Sequence, residues 1–247
     1  MKPRRNIKLV LGFDGTAYHG WQIQRRHRTV QGELRKAIRL ITGEQTNPFG
    51  SGRTDAGTHA RAFVASFETC CTIPARNLVR ALNSNLPPDI RVLSARDVPP
   101  DFHARLSAGS KVYRYQIYRG SVIPPHLARE HFHYPYAIDV GIMMRAAQLF
   151  EGAHDFASFA AKGGKRESTV RHIFSCQLKS AGHRLTLTVE GNGFLHHMVR
   201  NMAGTLLELG SGLMTWDEFQ ALFERRDRTL AGFTAPARGL ILLRVRY

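Results

Sequence analysis

A chain of 247 residues with 43% hydrophobic content is long enough to bury a sizeable core, as one large domain or two smaller ones. Its 35 Lys and Arg against 19 Asp and Glu leave a formal charge of +16, which favours a polyanionic partner. Most of the excess is arginine, which forks onto phosphates and stacks on bases, so nucleic acid is the expected partner over an anionic membrane; basic solubility is the plainer alternative.

The three cysteines, Cys70, Cys71 and Cys176, are odd in number and lack CxxC spacing, so neither a disulfide framework nor a zinc site is expected. Met1 to Asn6 is basic, but the apolar run behind it is too short for a signal peptide, and no stretch approaches the ~20 apolar residues of a membrane span. The expected compartment is a reducing cytoplasm, with no membrane partner and no metal.

In chain order, Ile7 to Phe13 predicts a buried strand ending at the turn Asp14-Gly15-Thr16. Next come Tyr18-His19-Gly20-Trp21-Gln22, whose aromatics suit either a core or a ligand face. Thr29 predicts the cap of an amphipathic helix carrying Val30, Leu34, Ala37, Ile38 and Ile41, with Gly43 as its stop.

The nine residues from Gly52 to Ala60 then concentrate turn chemistry around one carboxylate. Gly52 and Gly57 permit positive φ, Arg53 sits two residues from Asp55, and Thr54 and Asp55 are able to bond neighbouring amides. Taken alone, this is a well-formed turn in which Asp55 caps local amides and Arg53 is solvated. Phe63 to Phe67 follows as a strand, Pro74 opens a helix carrying Ala75, Leu78, Val79 and Leu82, and Ile90 to Val98 is a strand. This order predicts α+β with an antiparallel sheet.

Pro99-Pro100-Asp101 is the expected junction, giving an N-terminal half of residues 1–100 with the Asp55 loop and a C-terminal half of 101–247. Lys111 to Tyr118 alternates as a strand with Lys111, Tyr113, Tyr115 and Ile117 on one face. Ile138, Ile142, Ala146, Leu149 and Phe150 predict a helix, and Val170 to Leu178 with Arg184 to Glu190 a strand pair around Ala181-Gly182-His183. A helix is predicted from Phe194 to about Leu209, with Met198, Met202, Leu206 and Leu209 on an apolar face and His196, His197 and Arg200 opposite. That polar stripe faces either solvent or a site. Adjacent histidines do not share a ligand-competent face, which disfavours a metal there, and His59 and His103 add no ligand spacing. Trp216, Phe219, Leu222 and Phe223 form another helix, and Leu240 to Tyr247 a closing strand.

Several motifs recur in one order: Phe13 to Thr16 through Gly20-Trp21-Gln22, Thr29-Val30-Gln31, Gly52 to Ala60, Leu82-Asn83 with Leu86-Pro87, Asp101 to Arg105, Lys111 to Tyr115, His154-Asp155-Phe156, Phe194 to Gly204, and Gly239-Leu240. Together, over almost the whole chain, they resemble the bacterial tRNA pseudouridine synthase A family. The resemblance implies two similar α+β halves whose antiparallel sheets join into an extended sheet with helices on one side. It also implies isomerisation of uridine to pseudouridine at positions 38 to 40 of the tRNA anticodon stem-loop, with no cofactor, and a homodimer gripping tRNA.

By the same resemblance Asp55 is the catalytic aspartate, Tyr113 the ring stacked on the target uracil, and Arg200 the basic partner of Asp55. Arg53 reaches into the RNA beside the flipped base, and Leu240 lines the pocket. Thr58 stands where the family usually has Val, a change conservative in shape. A non-catalytic RNA-binding protein would carry the same charge but leave the Asp55 motif unexplained.

Overall fold

The computed structural model describes residues 4–161, 163 and 168–247; Met1, Lys2 and Pro3 of the basic N-terminus lie outside the described residues. In chain order the elements are β1 (Arg5–Phe13), α1 (Val30–Thr42), β2 (Phe49–Gly50), β3 (His59–Thr69), α2 (Ala75–Asn85), β4 (Ile90–Val98) and β5 (Ser110–Tyr118). There follow β6 (Phe132–His133), α3 (Val140–Gln148), β7 (Gly152–Asp155), β8 (Val170–Ala181), β9 (Arg184–Gly191), α4 (Met198–Gly210), α5 (Trp216–Arg225) and β10 (Leu240–Arg246). They form two compact α+β units, one of residues up to Gly109 together with Leu242–Tyr247, the other of Ser110–Ile241.

In the first unit β1 runs antiparallel between β3 and β4, and β2 pairs with β3. Its odd-numbered apolar residues Ile7, Leu9 and Leu11 have no exposed surface and lie opposite Phe67, Ala65 and Phe63 of β3. α1 forms where capping and periodicity agree. The Thr29 side chain accepts from the Gly32 amide, Gly43 closes the helix with a bond to Arg39 O, and Val30, Leu34, Ala37 and Ile38 are buried. Burying each of the larger aliphatics stabilises by about 1.5–3 kcal/mol.

The boundary between units falls after Gly109 and not at Pro99-Pro100-Asp101, because the intervening segment is bonded into the first unit. Asn6 Nδ2 donates to Phe102 O (2.8 Å) and Pro99 O (3.2 Å), and Ser66 Oγ accepts from the Ala104 amide (3.1 Å). The Tyr247 hydroxyl donates to Ala104 O at 2.6 Å. Lys8, largely buried, carries its ammonium 3.7 Å from the Tyr247 ring centroid; burial, aided by nearby Arg96, lowers its pKa.

In the second unit the strand order is β5-β9-β8-β7, all antiparallel. Tyr113, Tyr115 and Ile117 face Val189, Leu187 and Leu185, so the predicted alternation describes a buried face. The short β6 departs from the antiparallel expectation: it pairs parallel to β5, Ile117 opposite Phe132, and its turn is held by the Tyr134 amide on Tyr118 O (2.8 Å). α3 starts later than predicted, since Asp139 caps it by accepting from the Ile142 amide at 3.0 Å. Its buried stripe is Met143, Ala146 and Ala147, with Phe150 beyond its end in a cluster with Phe156, Phe159, Phe219 and Phe223.

α4 differs most from its prediction. It begins at Met198, because His197 takes a left-handed conformation (φ 61°) that no helix continues through. His196 and His197 therefore precede the helix, and the 3.6-residue period does not set their direction relative to Arg200. The helix is also buried nearly all round, including Asn201 and Thr205 with no exposed surface. Gly204 explains how: a Cβ there would lie 1.8 Å from Phe233 O, so the backbone of a second segment lies directly on the helix.

Candidate active site

The Asp55 loop is held in the first unit by the segment that follows β1. The Trp21 amide donates to Thr54 O (3.3 Å), the Gly57 amide to Tyr18 O (3.2 Å), and the Thr58 amide to Asp55 O (3.1 Å). Gly20 is required here: it has φ 80°, and a Cβ on it would lie 2.1 Å from Thr54 O. Of the two glycines around Asp55, only Gly57 takes a positive φ, at 80°; Gly52 does not.

Behind the loop, Trp21 packs on Phe63 with ring centroids 4.3 Å apart. The buried Tyr18 donates its hydroxyl to Asp89, and burial together with that bond raises its pKa. β3 begins inside the motif at His59, whose Nδ1 accepts from the Gly15 amide at 3.1 Å. Asp14 Oδ1 is 3.2 Å from the same nitrogen.

Arg53 and Ala56 are exposed and Asp55 is half-buried between the buried Thr54 and Thr58. The result is a carboxylate on a rigid loop with access to solvent. The hydroxyls of Ser51, Thr54 and Thr58 are buried without hydrogen-bond partners among the described residues.

The other expected site residues lie in the second unit. Tyr113 on β5 retains 8% of its surface and meets the Phe194 ring edge-on, centroids 5.0 Å apart and planes at 81°. Arg200, half-buried on the first turn of α4, donates from Nε to Ala235 O (2.7 Å), while the Ala235 amide donates to Arg200 O (3.2 Å). The segment after α5 is thus strapped along α4: the Gly232 amide binds Thr205 Oγ1 (3.1 Å), and the Phe233 amide binds Glu208 Oε1 (2.8 Å).

The same strap positions Leu240. The Tyr115 hydroxyl donates to Pro236 O at 2.7 Å; burial raises its pKa, with Arg200 and Arg238 opposing. Gly239 lies against the Tyr115 ring, and Leu240 follows at 7% exposure. One segment therefore fixes both Arg200 and Leu240, while Tyr113 is set two residues from Tyr115 on the same strand.

The sequence reading passed over the group that holds this strap. Asn201 Nδ2 donates to Phe159 O (2.7 Å), and its Oδ1 accepts from Arg228 (3.0 Å) and Thr234 (2.6 Å). An asparagine one residue after an expected site arginine is the only sequence signal for it, and Arg228 has none.

A family model described as tRNA pseudouridine synthase matches residues 10–106 and 146–247. The chain is 42% identical over 243 residues to tRNA pseudouridine synthase A of Thermoanaerobacter sp. (strain X514), covering 98% of this chain and 100% of that protein. It is 44% identical to that of Moorella thermoacetica, covering 98% and 99%. Among solved structures, the archaeal box H/ACA sRNP Nop10-Cbf5 complex aligns with a TM-score of 0.38 at 11% identity, over 96% of this chain and 48% of that one.

Proposed function

The chain belongs to the tRNA pseudouridine synthase family and isomerises uridine to pseudouridine in tRNA, and we propose that Asp55 is the carboxylate that carries the reaction. The target uridines are those of the anticodon stem-loop, positions 38 to 40, the working form is a homodimer, and the compartment is the cytoplasm. Among the described residues no helix is long and apolar enough to cross a membrane.

The observation that carries the reading is the loop itself: a half-buried carboxylate, flanked by exposed Arg53, on a turn clamped by backbone bonds. Breaking the bond from N1 to the ribose and forming one from C5 conserves every atom. A proton leaves C5 and one is gained at N1, so no net oxidation or phosphoryl transfer is involved. A carboxylate serves three openings of this sequence: attack on the sugar, attack on the base, or removal of a ribose proton.

In this reading Tyr113 stacks on the uracil, Arg200 supplies the counter-charge to the carboxylate, Arg53 contacts the RNA beside the flipped base and Leu240 lines the pocket. Stacking on one aromatic ring contributes ~1–3 kcal/mol per base, a useful fraction of the cost of extruding a nucleotide.

The decisive measurement is tritium release from C5-labelled uridine in tRNA. Asp55→Ala should bind tRNA and release no tritium; normal turnover would remove Asp55 from the chemistry. Tyr113→Phe should keep its tRNA affinity, and a severalfold loss would count against stacking.

A further inference from the structure

Between the clamp at Gly20 and the start of α1 the chain makes a small exposed hairpin that the assigned chemistry does not use. Gln24 and His27 form an antiparallel bridge, so Arg25 and Arg26 are the two residues at its tip. The hairpin is built and not loose: the His19 amide donates to Arg28 O (2.9 Å), Gln24 Nε2 to His19 O (2.9 Å), and the Ile23 amide to Gln31 Oε1 (2.9 Å). Gln31 Nε2 in turn donates to Pro48 O at 2.9 Å. The exposed rings of His19 and His27 stack with centroids 3.9 Å apart and planes at 28°.

Charge distinguishes the tip from its base. Arg28 is neutralised by Glu33 (3.5 Å) and Asp89 (3.9 Å) and lies over the Tyr18 ring at 4.7 Å. Arg25 and Arg26 are exposed and make no ion pair among the described residues, and no acidic residue occurs from Gly15 to Gly32. Two guanidiniums held at the tip of a bonded turn offer planar, forked donors of the kind that suits phosphodiesters.

Position adds to chemistry. The hairpin grows from Gly20 and Trp21, the residues that clamp Thr54 and Asp55, and six residues from Gly20 to Arg26 span at most ~21 Å. Resting on the assignment of Asp55 as the catalytic carboxylate, we propose that the Gln24–His27 hairpin is a preorganised dock for the RNA strand flanking the target uridine. Arg25 and Arg26 take its phosphates, and the stacked His19–His27 pair presents a flat surface to a ribose or base.

The test is the salt dependence of binding of an unmodified tRNA transcript by the full chain. With Arg25→Ala and Arg26→Ala together, Kd should rise roughly tenfold, and the slope of log K against log salt should shrink by about 1.4, at ~0.7 per phosphate of a single strand. kcat/KM should fall by the same factor as Kd rises. Arg25→Lys with Arg26→Lys should restore the slope, because charge count sets it. A Kd within twofold of wild type, or an unchanged slope, in the alanine variant overturns the proposal. So does a change in sedimentation mass without RNA, which would make the tip a contact between copies. Kd measured in an Asp55→Ala background separates docking from turnover, so failure of the Asp55 assignment appears as tritium release there and not as a change at the hairpin.

Discussion

Thr58 is a residue whose local chemistry does not close. It has 1% of its surface exposed and its hydroxyl has no hydrogen-bond partner among the described residues. An unpaired buried hydroxyl costs roughly 1–3 kcal/mol. Thr58→Val, nearly identical in shape, should therefore raise stability by about 1 kcal/mol, read as a higher urea midpoint at constant m. Gly20 is the opposite case. Gly20→Ala adds a Cβ where Thr54 O already lies and demands a positive φ of alanine, so it should destabilise by about 3 kcal/mol, the upper end of ordinary substitutions. His131 shows how burial makes one residue sense pH. Burial lowers its pKa from 6.5, with the bond to Leu127 O opposing, so the unfolded chain takes up this proton at a higher pH than the folded one. Its contribution to stability is complete above pH 6.5 and is lost as pH falls from 6.5 toward the lowered folded value. The fall in Tm on acidification should be shallower in His131→Gln than in wild type.

Among the elements, α4 shows how a helix serves a site without touching it through most of its residues. It is enclosed by the strap that follows α5, and Asn201 binds that strap through Arg228 and Thr234. Asn201→Ala would take the partner from Phe159 O and the Thr234 hydroxyl and one of the acceptors of Arg228, which keeps Ala231 O and Thr234 Oγ1, and should cost about 2–3 kcal/mol. Because Asn201 and Arg228 share one hydrogen bond, the double variant with Arg228→Ala should be less destabilised than the sum of the single variants, a departure readable in a double-mutant cycle. β10 is divided in a way its short length conceals: Leu240 and Ile241 belong with the second unit, the remainder with the first. A chain ending at Ile241 would remove the Tyr247 bond to Ala104 and the aromatic cover of Lys8. Its β1 and β3 amides should lose hydrogen-exchange protection relative to the full chain.

For the molecule as a whole, a formal charge of +16 makes tRNA affinity a function of ionic strength. If six or more phosphates are engaged, affinity should fall about 10³-fold or more between 50 and 200 mM salt. A weak salt dependence would mean that most of the excess charge faces away from the RNA. The exposed arginines of the hairpin tip are a small part of that total, but their position on the Asp55 clamp gives them an effect at one site.

The sequence alone determined the elements set by short-range rules and the family membership carried by motif order. Thr29, Gly43 and the spacing of Val30, Leu34 and Ile38 define α1 because capping and a 3.6-residue period act within one or two turns. Alternation likewise defines β1, β5 and the β8–β9 pair, and the nine residues around Asp55 declare a loop. The start of α4 at Met198, its burial on nearly every side and the strap that fixes Arg200 and Leu240 were decided only by tertiary structure. So were the parallel pairing of β6 and the attachment of residues 101–109 to the first unit. Each depends on groups far apart in the chain, such as Asn6 with Phe102 or Gly204 with Phe233, where no spacing rule links the partners. The turn around Asp55 could be read from its own neighbours, though not a role for its carboxylate; what clamps that loop, Gly20 and Trp21 more than thirty residues earlier, became visible only in the folded chain.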